Sequence, residues 1–113
     1  MKLIIAGGRN YRINGFDLVN LKKIDGITEV VNGGAAGADA EGKLWAERNG
    51  IPVKMFLADW KTYGKAAGPI RNKKMAEYAD AVVLFPGGRG TLSMKREAEK
   101  RCLIVYDFMN SDN

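Results

Sequence analysis

Five short apolar segments, separated by longer polar stretches, are the feature of this chain that most restricts its fold. Each is four or five residues long, rich in branched side chains and bounded by Gly, Pro, Asn or Asp; they are residues 3–6, 28–31, 53–57, 81–85 and 103–106. Unbroken apolar runs of this kind are typical of strands buried on both faces of a parallel sheet. Because helical spacing fills the stretches between them, the order predicts a single α/β domain. It is a Rossmann-like, doubly wound parallel sheet of about five strands with helices on both faces.

Apolar residues at helical spacing predict four helices between these strands. They are Phe16, Val19 and Ile24 with Leu18 and Leu21 beside them, then Ala40, Leu44 and Trp45, then Ile70, Met75, Tyr78 and Ala79, and finally Met94, Ala98 and Cys102. Gly50 and Pro52 follow the second helix where a helix end is expected. Since Cys102 lies in an apolar run, we expect it to be a small buried core residue.

The residue inventory excludes several kinds of chemistry. One cysteine and no histidine leave no ligand set for structural zinc or haem and no Ser-His-Asp or Cys-His machinery, so no metal and no cofactor is expected. The 113 residues suit one domain, expected over residues 1–108, with a frayed tail at 109–113. No apolar stretch approaches the ~18 residues of a membrane span, so a cytoplasmic protein without a membrane partner is expected.

Three predicted strand-to-helix turns are rich in glycine. They are residues 7–10, 33–39 and 86–91. In an open α/β sheet such turns lie along one edge, where glycine lets the backbone approach a ligand and the following helix directs N–H groups toward it. Phosphate is the expected occupant. Neither the G-x-G-x-x-G nor the Walker pattern is intact, which disfavours a dinucleotide dehydrogenase and a P-loop NTPase.

Four polar or aromatic residues near these turns each have two interpretations. Asp39 either stabilises its helix N-terminus or contacts a ribose hydroxyl, and Thr91 either caps its helix or binds phosphate. Trp60 belongs either to the core or to a wall that stacks on a base. Arg71, near a helix start, requires an anionic partner, either a phosphate or a carboxylate. The predicted nucleotide-binding residues are Gly7, Gly8, Arg9, Asn10, Gly33, Gly34, Ala35, Gly37, Asp39, Trp60, Arg71, Asn72, Gly87, Gly88, Arg89, Gly90 and Thr91.

The same motifs, in the same order, resemble the SLOG superfamily, in its short YspA-like, YpsA-related branch. The resembling segments are residues 7–9, 33–39, 59–60, 64–75 and 86–91. The resemblance implies a Rossmann-like fold with a site for nucleotides or nucleotide-derived ligands. The superfamily includes the cytokinin-activating phosphoribohydrolases, DNA-processing protein A, and bacterial immunity domains that sense NAD-derived nucleotides. Since relatives self-associate, a homo-oligomer is expected.

The hydrolases among these relatives use an arginine early in one helix and a glutamate after the P-G-G-x-G-T turn. Arg71 matches the arginine, whereas the glutamate position falls at Ser93 or Met94. The carboxylates that could replace the glutamate are Asp39, Asp59 and Glu97.

Three functions therefore remain open. The first is a sensor or sequestering module for ADP-ribose, cyclic ADP-ribose or a related nucleotide, and the second is a nucleoside monophosphate phosphoribohydrolase. The third is single-stranded DNA binding, which the net charge of +5 permits. It is the least favoured of the three, because the aromatic residues do not alternate with the basic ones as they do in oligonucleotide-binding surfaces.

Overall fold

A computed structural model describes residues 1–109 and shows a sheet of five parallel strands. The strands are β1 (Lys2–Ala6), β2 (Glu29–Asn32), β3 (Val53–Met55), β4 (Ala81–Leu84) and β5 (Ile104–Asp107), and their order across the sheet is β3-β2-β1-β4-β5. The predicted Rossmann-like α/β fold is confirmed. β1 lies at the centre, and the chain turns from one half of the sheet to the other between β3 and β4.

The helices alternate with the strands as predicted, with one addition. They are α1 (Gly15–Lys22), α2 (Ala38–Arg48), α3 (Trp60–Tyr63), a short 3-10 turn (Gly64–Ala66), α4 (Ala67–Tyr78) and α5 (Arg89–Lys100). The addition is α3 with its 3-10 turn, in a segment predicted as an ordered loop. Asp59 starts α3, because its Oδ1 accepts a hydrogen bond of 3.1 Å from the backbone N–H of Thr62.

The core consists of two layers, one on each face of the sheet. Leu3 and Ile5 of β1 pack with residues of α1 and α2, whereas Ile4 and Ala6 pack with residues of α4 and α5. Alternating β1 side chains thus face opposite layers, as the pleat of a strand requires. The prediction that the strands are buried on both faces is confirmed for β1, β2 and β4. It is wrong for β3 and β5, because these two strands form the edges of the sheet.

The predicted apolar face of the first helix is wrong for Phe16 and Val19, although Leu21 and Ile24 are buried as predicted. Phe16 and Val19 are 63% and 52% exposed, and the helix instead buries Asp17 and Leu21. Asp17 is fixed inward because its Oδ2 accepts hydrogen bonds from the Tyr11 hydroxyl (2.6 Å) and from the backbone N–H of Asn14 (3.1 Å), and the second of these is part of a capping box. The cap and the buried carboxylate set the rotation of α1, and the large apolar side chains consequently face outward.

The second helix and Cys102 also differ from the prediction. Ala40 and Leu44 are exposed, and α2 faces the sheet with small residues that allow a close approach, namely Ala38, Gly42 and Ala46. Cys102 is exposed rather than buried. It lies in the turn between α5 and β5 with a φ of 56°, so its side chain is directed by the turn and not by an apolar face.

Two further expectations concern the predicted tail at residues 109–113 and the absence of a membrane span. Met109 packs against the core layer under α4 and α5. Residues 110–113, the remainder of the predicted tail, lie outside the described residues. Within residues 1–109, no helix has the length and apolar character needed to cross a membrane.

Candidate functional site

The three glycine-rich turns follow β1, β2 and β4, which are neighbours at the centre of the sheet. Backbone hydrogen bonds join them: the N–H of Gly8 donates to the carbonyl of Pro86 (2.9 Å), and the N–H of Ala38 donates to the carbonyl of Gly8 (3.2 Å). The turn after β1 therefore binds both of the others. Together they form one rigid surface at the carboxyl edge of the sheet, where the strand order reverses between β1 and β4.

α5 starts at this surface without a side-chain cap. Gly88 is its N-cap residue, so the prediction that Thr91 could be the cap is wrong. Thr91 is the third residue of α5 and is only 5% exposed, and it fills the space beside Gly87 that a Cβ would occupy. The uncapped start leaves the N–H groups of the first turn, and the positive end of the helix dipole, without an anionic side chain.

A cavity of about 490 Å³ opens over this surface. It falls within the size range of small-molecule sites. The predicted residues that line it are Gly7, Gly8, Arg9, Ala35, Asp39, Trp60, Arg71, Asn72, Gly88, Arg89, Gly90 and Thr91. Trp60 is 52% exposed and forms part of the cavity wall, so the alternative that it belongs to the core is wrong.

The other predicted residues lie elsewhere. Gly33 and Gly34 line a second cavity of about 430 Å³ that adjoins the first. Gly37 and Gly87 line neither cavity and pack against the backbone of the turn after β1. Asn10 is exposed and lines neither cavity.

Arg71 is held at the boundary of the two cavities by two hydrogen bonds to neutral oxygens. Its Nη1 donates to the carbonyl of Gly33 (2.9 Å) and its Nε donates to Oδ1 of Asn72 (2.9 Å). Burial lowers the pKa of the guanidinium, whereas the nearby Asp39 carboxylate raises it. No carboxylate in the described chain comes within 4.0 Å of Arg71. Asp39 therefore interacts with Arg71 without forming a salt bridge, and the guanidinium can still bind a further anion.

Asn72 connects α4 to α5 below the cavity. Its Nδ2 donates to the carbonyl of Gly90 (3.3 Å) and to Oγ of Ser93 (3.2 Å), while its Oδ1 accepts the bond from Arg71. All of its side-chain polar atoms are therefore used within the protein. Asn72 positions the first turn of α5 and the Arg71 side chain relative to each other.

Asp39 fixes the turn after β2. Its Oδ2 accepts hydrogen bonds from the backbone N–H groups of Gly33 (3.2 Å) and Ala35 (3.3 Å), and the residue is 7% exposed. Burial raises the pKa of the carboxyl above its usual value, and the two hydrogen bonds and Arg71 offset this only in part. Asn32 completes the turn: its Nδ2 donates to the carbonyl of Asp39, and its Oδ1 accepts from the N–H of Gly34.

The raised pKa of Asp39 has a measurable consequence for stability. A raised folded-state pKa stabilises the fold fully below about pH 4, the pKa of an unfolded aspartate, and this contribution is lost as the pH rises through the folded value. Asparagine keeps an oxygen acceptor and does not ionise. Asp39→Asn should therefore gain stability relative to the unsubstituted chain from about pH 4 to about pH 7. Thermal denaturation of both proteins at the two pH values measures the change, and a constant difference in Tm would contradict it.

Sequence reasoning missed several lining residues. Lys65, Gly68, Pro69 and Ser93 all line the first cavity. Lys65 lies in a segment that the motifs had marked, but no turn or charge pattern singled it out, and Ser93 was named only as one of two positions that match the hydrolase glutamate. Asn32 had a usable signal, because a polar residue directly after an apolar strand and before a glycine turn faces the carboxyl edge of the sheet.

Of the three carboxylates that could replace the missing glutamate, one reaches the cavity. Asp59 caps α3, and Glu97 pairs with Arg101 and Lys100. Asp39 lines the cavity, but one of its oxygens accepts the two backbone hydrogen bonds. Four cations line the same cavity, namely Arg9, Lys65, Arg71 and Arg89. The described lining therefore has a strong excess of positive charge.

Comparison with known proteins adds a family to this geometry. A sequence profile described as the YspA, cpYpsA-related SLOG family matches residues 1–63, which include the first two glycine turns. Gene 61 protein of Mycobacterium phage D29 is 40% identical over 87 residues, which cover 70% of each chain. No solved structure matches the chain. Arg71 and the turn after β4 lie beyond the matched profile.

Proposed function

From the premise that this chain belongs to the YspA, cpYpsA-related SLOG family, whose membership indicates a nucleotide-related function, we propose that its first cavity binds a phosphate-bearing nucleotide. The proposed ligand is of the ADP-ribose or cyclic ADP-ribose type. The protein acts as a sensor or sequestering module, and self-association of the chain passes on the signal.

The observation that carries this proposal is the uncapped start of α5 at a cavity with four cations and one carboxylate. The N–H groups of the first helical turn and the hydroxyl of Thr91 supply donors for phosphate oxygens. No hydrogen bond occupies the Thr91 hydroxyl within residues 1–109. Arg71 adds a charge-assisted donor whose orientation Gly33 and Asn72 fix.

Trp60 supports a base or sugar next to the phosphate. Its ring lies over the first turn of α4, where a Cβ on Gly68 would be 3.3 Å from the ring. Half of the side chain remains exposed toward the cavity. A large, firmly held aromatic face of this kind binds planar groups by stacking.

Hydrolysis of the N-glycosidic bond is the second candidate, because Arg71 and Asp39 line the same cavity. That reaction requires a carboxylate to donate a proton or to stabilise an oxocarbenium-like transition state. Ser93 or Met94 lies where the related hydrolases have glutamate, and Asp39 is already engaged by two backbone N–H groups. Binding without turnover is therefore the function that the residues support better.

A calorimetric titration with AMP, ADP-ribose, NAD and cyclic ADP-ribose tests the proposal. We expect saturable binding of at least one of them at one site per chain, and no free base on prolonged incubation with AMP. Failure to bind any of the four would contradict nucleotide binding. Base release that Arg71→Ala abolishes would instead show that the protein is a phosphoribohydrolase.

A further inference from the structure

We propose that the two adjoining cavities form one two-part site for a ligand whose two lobes are joined by a diphosphate, with one of its phosphates held between Arg9 and Arg71. This inference rests on the proposed function, because the first lobe is the nucleoside in the first cavity. It goes beyond that function by defining a second lobe, its position and the residues that select for the diphosphate.

The two cavities share one wall. Arg9, Ala35, Trp60 and Arg71 line both of them, and the shared wall contains two of the four cations of the first cavity. Their volumes are similar, about 490 and 430 Å³, so each has room for a lobe of comparable size. Both arginines therefore belong to the region where a ligand would extend from one cavity into the other.

The charges of this wall are not neutralised from within the protein. Arg9 is exposed and forms no salt bridge with any described residue. Arg71 uses Nη1 and Nε for Gly33 and Asn72, which leaves Nη2 free of hydrogen bonds in the described chain. Repulsion from Arg9 contributes to lowering the pKa of Arg71, so the two cations act on each other. A phosphate that accepts hydrogen bonds from both arginines offsets this repulsion with its negative charge.

The second cavity suits an uncharged lobe. Apart from Arg9 and Arg71 of the shared wall, its lining consists of residues 33–36 together with Leu57, Ala58 and Trp60, and neither a carboxylate nor a lysine contributes to it. Gly34 keeps this wall open, because a Cβ there would lie 2.7 Å from Cδ2 of Leu57 and its φ is +73°. The N–H groups of Gly33, Gly34 and Ala35 already donate to Asp39 and Asn32, so the apolar side chains of this lining supply the contact surface for a ribose or a nucleoside.

Ala36→Phe tests the two-part site. Ala36 is exposed, lines only the second cavity and has an ordinary backbone conformation, so a phenyl group there fills that cavity without disturbing the core. We expect ADP-ribose to bind about tenfold or more weakly to this variant, whereas AMP affinity changes less than about twofold. Ala40→Phe, at an exposed position of α2 that lines neither cavity, is the matched control and should leave both affinities unchanged.

Arg9→Ala provides the second comparison, and we expect it to weaken ADP-ribose more than AMP. The inference is overturned if ADP-ribose binds the unsubstituted chain no more tightly than AMP, or if Ala36→Phe changes both affinities equally or neither. In those cases AMP binding persists and the proposed function stands. If the unsubstituted chain binds no nucleotide, the proposed function itself fails and the two-part site fails with it.

Discussion

Arg71→Ala is expected to weaken nucleotide binding by about 30-fold, which corresponds to about 2 kcal/mol for a charge-assisted hydrogen bond. The variant removes the proposed phosphate donor at the boundary of the two cavities. It also leaves the carbonyl of Gly33 and Oδ1 of Asn72 without their donor. Titration calorimetry with ADP-ribose measures the affinity, and the Tm from circular dichroism separates this effect from any loss of folding.

Two further variants test whether the effect of Arg71→Ala comes from contact between Arg71 and the ligand. Lys73→Ala removes an exposed cation from the same helix that lines neither cavity, and it should leave the affinity unchanged. Arg71→Lys keeps the charge but lacks the planar group that donates in two directions, so an intermediate affinity is expected. If Arg71→Ala binds as tightly as Lys73→Ala, Arg71 does not contact the ligand.

Gly37→Ala is expected to lower the free energy of unfolding by about 3 kcal/mol. A Cβ there would lie 2.3 Å from the carbonyl oxygens of both Gly8 and Arg9, and the residue has a φ of +73°. The turn after β1 must then move away from the turn after β2, which also breaks the hydrogen bond from Ala38 to Gly8. Urea denaturation measures the change in stability, and ligand titration at a temperature where the variant is folded measures its effect on the site.

Gly50→Ala is the matched control for Gly37→Ala. Gly50 has a similar φ of +68°, but no atom lies within 4 Å of the place where its Cβ would be. This variant therefore measures the cost of a positive φ alone, about 1 kcal/mol. Equal losses of stability in the two variants would contradict the close packing of the first two turns.

Much of the fold could be predicted from the sequence because buried parallel strands and glycine turns are local patterns. The three glycine-rich turns lie together because β2, β1 and β4 are neighbours at the centre of the sheet. The faces of α1 and α2 could not be predicted in this way. The face of α1 depends on the hydrogen bond from the Tyr11 hydroxyl to the buried Asp17, and an apolar pattern does not indicate that a carboxylate is buried. The face of α2 depends on close packing through Gly42, whose Cβ would lie 2.7 Å from Ile5, a residue distant in the chain.

The residues of the candidate site could likewise be predicted only in part. Residues in glycine-rich turns were identified because their position follows from the ends of strands. Lys65 was missed, since no sequence pattern assigns the 3-10 turn before α4 to the cavity, and Ser93 was considered only as a match to the hydrolase glutamate. The supporting roles of Asn32 and Asn72 depend on hydrogen bonds to backbone groups, and single-sequence patterns do not specify those partners.

A crystal structure of the protein with ADP-ribose would locate the bound nucleotide. We expect density for a phosphate at about 3 Å from backbone N–H groups in the first turn of α5, between Gly88 and Thr91, with the Arg71 guanidinium beside the ligand. Ligand density that lies away from the carboxyl edge of the sheet, or a first cavity without density at a saturating ligand concentration, would contradict this expectation.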